Sequence, residues 1–177
     1  NVVAARTIEI GCLFRGGRPP SRFAPKGIDY LLDQIRERIK PATEIEVTME
    51  VNPGSISQDS YENRQYKSLI PKSGENEPLA EEKLAGYREA GVNRLSLGVQ
   101  SFDASQLKNL GRIHSPESAI RTYQLARAAG FSNINIDLMH GLPSQDLAQA
   151  MNDLQHAIDL QPEHISWYQL TIEPNTV

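Results

Sequence analysis

The sequence predicts an α/β protein whose parallel sheet curves into part of a barrel of the TIM type. Two observations lead to this class. Strand-like segments alternate with helical segments, which is the pattern of βα units and a parallel sheet. Each central strand is also apolar on one face and polar on the other, whereas strands covered by helices on both faces are apolar throughout. The one-sided pattern therefore indicates strands that curve around a polar interior.

The first half of the chain supplies two strands and one helix. Residues 7–11 (TIEIG) are predicted as a strand, and apolar side chains at helical spacing predict a helix over 27–39. Residues 44–51 (EIEVTMEV) alternate strictly and end at Asn52-Pro53-Gly54, a strong turn signal. The next stretch, 55–78, is polar and without clean periodicity, and we expect a long loop or a disordered insertion there.

The second half continues the alternation. Helices are predicted over 79–90, 104–110, 115–129 and 146–160, and strands over 94–100, 133–139 and 164–170. Ser115 and Pro116 fit a helix start, while Gly91 and Gly130 fit helix ends. We expect Trp167 to lie in the core. The last helix has an apolar face formed by Leu147, Met151, Leu154 and Ile158.

Composition excludes several classes of protein. The 177 residues carry 18 Lys+Arg against 22 Asp+Glu, so no basic excess is available for general nucleic-acid binding. A single cysteine, Cys12, excludes a disulfide scaffold. No membrane-length apolar run and no signal-peptide layout occur, and we expect a cytoplasmic protein. Because the chain starts at Asn1 without methionine and stops directly after a strand at Val177, we interpret it as a fragment.

The candidate site residues come from the polar face of the strands. Active sites of such barrels lie at the carboxyl ends of the strands, where the polar face presents Glu50, Gln100 and Asp137. Arg112 follows in the loop after the third strand and suits a carboxylate or phosphate. Simpler roles remain open: a solvated carboxylate for Glu50, backbone contacts for Gln100 and a surface ion pair for Arg112.

Two further features of the sequence carry weaker signals. Gly16-Gly17, just past the first strand, forms a glycine-rich loop that could admit a ligand close to the backbone or simply make a turn. Cys12 could be a nucleophile beside a base or cation, or a small buried apolar residue. From the residues alone, the chain is predicted to be the ligand-binding half of a βα barrel.

Five separated motifs give a more specific indication. They are TMEVNPG (48–54), AGVNRLSLGVQSF (90–102), LGRIH (110–114), NIDLMHGLP (135–143) and ISWYQLTIEPNT (165–176). Together they resemble the radical S-adenosylmethionine (SAM) family of oxygen-independent coproporphyrinogen III oxidase-like proteins, and within it the heme-chaperone branch. The resemblance implies a radical SAM core domain over 1–177, with about strands 2 to 6 of a partial (β/α)6 barrel, SAM and a [4Fe–4S] cluster as cofactors, and heme or porphyrin with heme-acceptor proteins as partners.

The resemblance also implies roles for individual residues. Glu50, Gln100, Arg112 and Asp137 match positions that contact SAM in this family, with Arg112 on the methionyl carboxylate and the other three on the ribose hydroxyls and nearby polar groups. Gly16 and Gly17 are the nearest match to the family's glycine loop, which is altered here. The C-x3-C-x2-C cluster motif is missing, and we expect its cysteines upstream of Asn1. Residues 59–78 have no counterpart in the family, and we expect the family's C-terminal domain to be absent from these 177 residues.

Three hypotheses for function follow. The first is a fragment of a heme chaperone that binds a cluster, SAM and heme. The second is a fragment of a coproporphyrinogen III oxidase, which decarboxylates propionate side chains by radical chemistry. The third is an inactive fragment. For the 177 residues alone we expect no cluster, weak or no SAM binding and no catalytic residue.

Overall fold

The structure, a computed structural model, describes residues 10–13, 21, 23–38, 41–56 and 80–171, with the backbone alone for 10–13 and 41–44. The elements follow one another in the order β1 (Ile10–Leu13), α1 (Pro25–Arg38), β2 (Pro41–Val51), α2 (Pro53–Ile56), α3 (Ala80–Glu89), β3 (Arg94–Gln100), α4 (Ala104–Asn109), α5 (Pro116–Ala128), β4 (Ile134–His140), α6 (Leu147–Asp159) and β5 (His164–Gln169).

The described strands form one five-stranded sheet in the order β1-β2-β3-β4-β5, and every neighbouring pair is parallel. Spatial order therefore equals chain order, so each βα unit adds its strand at the same edge. Parallel neighbours require a crossover, and a helix lies in each crossover. Stepwise addition in one direction is the topology of a barrel wall, and the predicted α/β partial barrel is confirmed.

The core lies between the sheet and the covering helices. The apolar residues of alternate strand positions face this layer, and six of those described are 0% exposed: Val51, Leu95, Leu97, Ile134, Ile136 and Leu138. Burial of each such side chain contributes about 1.5–3 kcal/mol relative to exposure. Helix contacts α1–α3 and α3–α5 complete the outer layer. The one-sided alternation read from the sequence is thus the division between the covered and the open face of the sheet.

Helix boundaries follow the capping residues. Ser115 accepts a hydrogen bond from the Ser118 backbone N–H at the start of α5, with Pro116 as the first helical residue. Asp146 and Gln149 form a reciprocal capping box at the start of α6. After α3 and α5, Gly91 and Gly130 take the left-handed conformation with φ of 104° and 87°, which ends a helix with little strain in glycine.

Helix α6 packs with a different face from the one expected. Leu147, Met151 and Ile158 are exposed, Leu147 at 77%, while Ala150, Asp153 and Ala157 are buried. The small side chains of Ala150 and Ala157 permit α6 to approach the sheet closely. Two hydrogen bonds accepted by Asp153 fix the rotation of the helix about its axis. Most of the apolar face formed by Leu147, Met151, Leu154 and Ile158 is therefore exposed, although an apolar helix face is ordinarily the buried one.

Trp167 is likewise not a core residue, because it is 39% exposed. It lies on β5, at the end of the strand order, with its ring 4.8 Å from that of His140.

Of the predicted insertion over 55–78, Ser55 and Ile56 belong to the short helix α2, and the remainder lies outside the described residues. No helix in the described ranges is both long and apolar enough to cross a bilayer.

Candidate functional site

The carboxylate of Asp137 lies on the open, polar face of the sheet and is held on both oxygens. Ser96 Oγ donates to Oδ2 at 2.8 Å, and Asn135 Nδ2 donates to Oδ1 at 2.7 Å. The Asn135 amide also donates to Ser96 Oγ at 2.8 Å. The sequence argument expected a partner for Asp137, because an unpartnered charge between apolar neighbours is costly. The structure supplies two partners from two strands.

Asn135 joins this carboxylate to β5. Its Oδ1 accepts hydrogen bonds from His164 Nδ1 and from Ser166 Oγ, the latter at 3.1 Å. Asn135 is 2% exposed, and all the polar atoms of its amide group have partners. A buried and satisfied network of this kind fixes side-chain positions. Asp137 is therefore a fixed carboxylate and not a mobile surface group.

Gln100 ends β3 with an unusual backbone. Its φ is 71°, in the left-handed region that non-glycine residues seldom adopt, and the β3–β4 register shifts between Gly98 and Gln100. The side chain folds back over Gly98, where an added Cβ would lie 3.1 Å from Gln100 Nε2. Gln100 Oε1 accepts a hydrogen bond from Tyr168 Oη at 2.9 Å. Gln100 therefore bonds a side chain of β5, whereas the sequence had left open a contact with backbone groups.

Arg112 stands in the loop that follows α4. Gly111, with φ of 66°, ends the helix, and the Arg112 N–H donates to the Leu107 carbonyl at 2.9 Å. Among the described residues, the buried Arg112 Nε has no hydrogen-bond partner. No ion pair of Arg112 is found in the described part of the chain, so the surface ion pair considered from the sequence is not observed. The guanidinium is available for a ligand anion.

His114 anchors the same loop to β3. Its Nε2 lies 3.0 Å from the Val99 carbonyl oxygen, which only accepts, so Nε2 carries the proton in this assignment. Burial lowers the pKa of His114; the Val99 carbonyl opposes this shift and the charge of Arg112 adds to it. His114 is thus a neutral structural residue, and its Nδ1 is buried without a partner in the described part of the protein.

Tyr168 is influenced by all four candidate residues. Burial raises its pKa; the charges of Asp137 and Glu50 raise it further, while the hydrogen bond to Gln100 and the charge of Arg112 lower it. Residues from β2, β3, β4 and the loop after α4 therefore act on one hydroxyl group of β5. We call Glu50, Gln100, Arg112 and Asp137 the rim residues. Gly16 and Gly17 lie outside the described residues.

Sequence reasoning missed three members of this site. They are Ser96, Asn135 and Tyr168, none of which is among the predicted site residues. All three lie on the polar parity of their strands, so the alternation itself was the available signal. Asp137 also lies in the middle of β4 and not at its end, because the strand continues to His140. The candidate site therefore extends from the strand ends down the open face.

The rim residues fit SAM in charge and in hydrogen-bonding capacity. Glu50 and Asp137 are acidic and Arg112 is basic, whereas SAM carries a sulfonium, an ammonium and a carboxylate group. The unpartnered Arg112 Nε suits the carboxylate. A [4Fe–4S] cluster does not fit these 177 residues, because it requires at least three thiolates and the chain has one cysteine. The described residues also contain no group of acidic, His or Cys side chains that could hold a metal ion.

Comparison with known proteins assigns this partial barrel of parallel strands to a protein family. The family model of the Radical SAM superfamily matches residues 11–154, and the chain belongs to this superfamily. Among solved structures, coproporphyrinogen III oxidase (HemN) from Escherichia coli, a radical SAM enzyme, aligns with a TM-score of 0.71 and 26% identity over 94% of this chain and 33% of that one. Methylornithine synthase (PylB), at 13% identity and a TM-score of 0.60, shares the fold.

Proteins with similar sequences give a more specific comparison than the fold does. The chain is 43% identical to the heme chaperone HemW of Escherichia coli K12 over 177 residues, which are all of this chain and 41% of that protein. It is 34% identical to the heme chaperone HemW of Bacillus subtilis 168 over 96% of this chain and 39% of that one. The chain thus spans about two fifths of the length of these relatives, and it is similar to HemW over nearly all of its own length.

Proposed function

We propose that the protein is a heme chaperone of the HemW type, which binds SAM at the rim residues and transfers heme to acceptor proteins. The observation that carries this proposal is the 43% identity to the Escherichia coli heme chaperone along the whole chain. The polar open face supports it, because Gln100 accepts a hydrogen bond from Tyr168, and the charges of Glu50, Arg112 and Asp137 act on the same hydroxyl group. We also place the protein in the cytoplasm.

In this proposal each rim residue recognises a different part of SAM. The Arg112 guanidinium binds the methionyl carboxylate by charge-assisted hydrogen bonds. Asp137, fixed by Ser96 and Asn135, accepts hydrogen bonds from the ribose hydroxyls. Gln100 and Glu50 serve neighbouring polar groups. When bound, the cluster and SAM supply electron-transfer and radical chemistry, and this chain contributes orientation and electrostatics. Any cluster requires cysteines beyond the single one in these 177 residues.

A second candidate is an oxygen-independent coproporphyrinogen III oxidase. The structural similarity to HemN at a TM-score of 0.71 favours it. The identity to HemN is 26%, against 43% to HemW, and for this reason we propose the chaperone. Both candidates use the same SAM site, so the rim residues alone do not separate them.

The experiment that separates them uses the natural full-length form of the protein, reconstituted with iron and sulfide without oxygen. Heme transfer to an apo-heme protein and consumption of coproporphyrinogen III are measured on the same preparation. The chaperone proposal expects transfer of heme and no turnover of coproporphyrinogen. Catalytic turnover without heme transfer would contradict it and establish the oxidase.

A further inference from the structure

A buried carboxylate lies outside the rim residues, on the helix that precedes β5. Asp153 of α6 is 2% exposed, and each of its oxygens accepts one hydrogen bond. Ser101 Oγ donates to Oδ2 at 2.7 Å, and the backbone N–H of Phe102 donates to Oδ1 at 2.7 Å. Ser101 Oγ in turn accepts from the Asp103 N–H at 3.0 Å. Asp153 therefore holds the three residues that follow β3.

These three residues follow directly on Gln100, whose backbone is strained. A φ of 71° is unfavourable for a non-glycine residue, and it persists only where the surroundings hold it. On the strand side, Gln100 is held by the shifted register with β4. On the other side, the contacts of Ser101 and Phe102 with Asp153 hold it.

The strained backbone decides where the Gln100 amide lies. With this φ the side chain folds over Gly98 on the open face and accepts the hydrogen bond from Tyr168. In an ordinary extended conformation, the chain after Gln100 would leave β3 in another direction, and Ser101 and Phe102 would lose Asp153. The position of α6 and the position of the Gln100 amide are thus linked through two hydrogen bonds.

We propose that Asp153 is a positioning residue for the cofactor site: it holds Ser101 and Phe102 and thereby keeps Gln100 in the conformation that presents its amide at the rim. The proposal rests on the proposed SAM site. Several neighbouring groups act on the Asp153 carboxylate or on Phe102. Burial raises the pKa of Asp153; the hydrogen bonds from Ser101 and Phe102 and the charge of His156 oppose this, and the charge of Asp103 adds to it. His156 also stacks on the Phe102 ring at 5.5 Å.

The test is a double-mutant cycle on the reconstituted full-length protein, with the dissociation constant of SAM measured by calorimetry. The variants are Asp153→Asn, Gln100→Ala and the double variant. Asp153→Asn is expected to weaken SAM binding about tenfold, within the range for directly coupled residues. In the Gln100→Ala background, the same change is expected to have no further effect, because its action passes through Gln100.

The matched control is Asp159→Asn, an exposed aspartate on the same helix whose carboxylate bonds only Gln155 among the described residues. It is expected to leave SAM affinity unchanged. Equal losses from Asp153→Asn in both backgrounds, or no loss in either, would overturn the proposal. If Asp153→Asn does not fold, Ser101→Ala removes one of the two hydrogen bonds and takes its place in the cycle.

A crystal structure of the unliganded Asp153→Asn protein separates this proposal from the proposed function. If the wild-type protein does not bind SAM, the proposed function fails, but the link between α6 and the rim can still be observed directly. The expected result is that Gln100 leaves the left-handed region and loses its contact with Tyr168. An unchanged Gln100 would overturn the positioning role whether or not SAM binds.

Discussion

Arg112 is the residue on which recognition of a ligand anion depends most. It is the only positively charged member of the four rim residues, and its Nε is buried without a hydrogen-bond partner among the described residues. A hydrogen bond to a charged group contributes about 1.5–3 kcal/mol, so a ligand carboxylate that paired with this donor would be bound firmly. The anchoring of this loop by Gly111 and His114 fits a position kept for a bound carboxylate.

Arg112→Ala is therefore expected to weaken SAM binding by about 1.5–3 kcal/mol, the range for hydrogen bonds to charged groups. Calorimetric titration of the reconstituted full-length protein measures this loss. Arg121→Ala is the matched control, because Arg121 is an exposed arginine on α5. Equal affinities for the Arg112 and Arg121 variants would remove Arg112 from the site.

His114 gives a prediction for the pH dependence of stability. Burial lowers its pKa in the folded state, so below its ordinary value of about 6.5 the unfolded chain binds a proton that the folded chain does not. The contribution of His114 to stability is present above this value and is lost as the pH falls through the folded-state pKa. Urea unfolding at neutral and mildly acidic pH is expected to show this loss in the wild type and a smaller loss in His114→Gln. If the free energy of unfolding fell equally with pH in the wild type and in His114→Gln, the lowered pKa of His114 would be contradicted.

At the residue scale, strand parity predicts Glu50, Gln100 and Asp137 as residues of the polar face. It could not select the conformation of Gln100, because φ of 71° depends on the register with β4 and on Asp153 of α6, both distant in sequence. It also could not show that Asn135 connects four other polar side chains across β3, β4 and β5. Such networks depend on distances between strands, which alternation along one strand does not contain.

At the scale of elements, the contact between α1 and α3 depends on a glycine. A Cβ added at Gly86 would lie 2.6 Å from Pro25 Cβ and 2.8 Å from Pro25 Cγ. The rigid proline ring cannot move aside as a flexible side chain does. Gly27 on α1 is different, because an added Cβ there meets nothing within 4 Å.

The two glycines thus form a matched pair for urea unfolding. Gly86→Ala is expected to lower the free energy of unfolding by about 1–3 kcal/mol, since overpacking outweighs the gain in helix propensity. Gly27→Ala is expected to raise it by up to about 1 kcal/mol, because only the propensity changes. Stabilisation by both substitutions would show that α1 and α3 do not pack as described.

Periodicity and capping signals were good predictors of where helices begin and end. The predicted start of α5 at its serine cap and the span of β3 agree with the structure. The orientation of α6 was not predictable in the same way. Its largest apolar stripe faces away from the sheet because Ala150, Asp153 and Ala157 form the tighter contact. Hydrophobic periodicity identifies an apolar face, but the bonds of Asp153 decide which face is buried.

At the scale of the whole molecule, the sheet separates two environments. The covered face is apolar and supplies stability, and the open face carries the polar network and the rim residues. The same division explains why alternation along the strands indicates a polar barrel interior. It also explains why substitutions on the open face, such as those at Arg112 and Gln100, are expected to affect ligand binding more than folding.

Iron content gives a prediction for the 177 residues as a unit. After anaerobic reconstitution with iron and sulfide, the isolated chain is expected to hold no [4Fe–4S] cluster, because Cys12 alone cannot supply the thiolates. Iron analysis together with the visible absorption spectrum measures this. About four irons per chain with a cluster spectrum would contradict the prediction.

The central claim is that the rim residues form the SAM site. The most direct measurement is an anaerobic crystal structure of the reconstituted full-length protein with SAM. It is expected to show the methionyl carboxylate on the Arg112 guanidinium and the ribose hydroxyls within hydrogen-bond distance of Asp137, with Glu50 and Gln100 on neighbouring polar atoms. SAM bound elsewhere, or bound at this face without contact to Arg112 and Asp137, would contradict the claim.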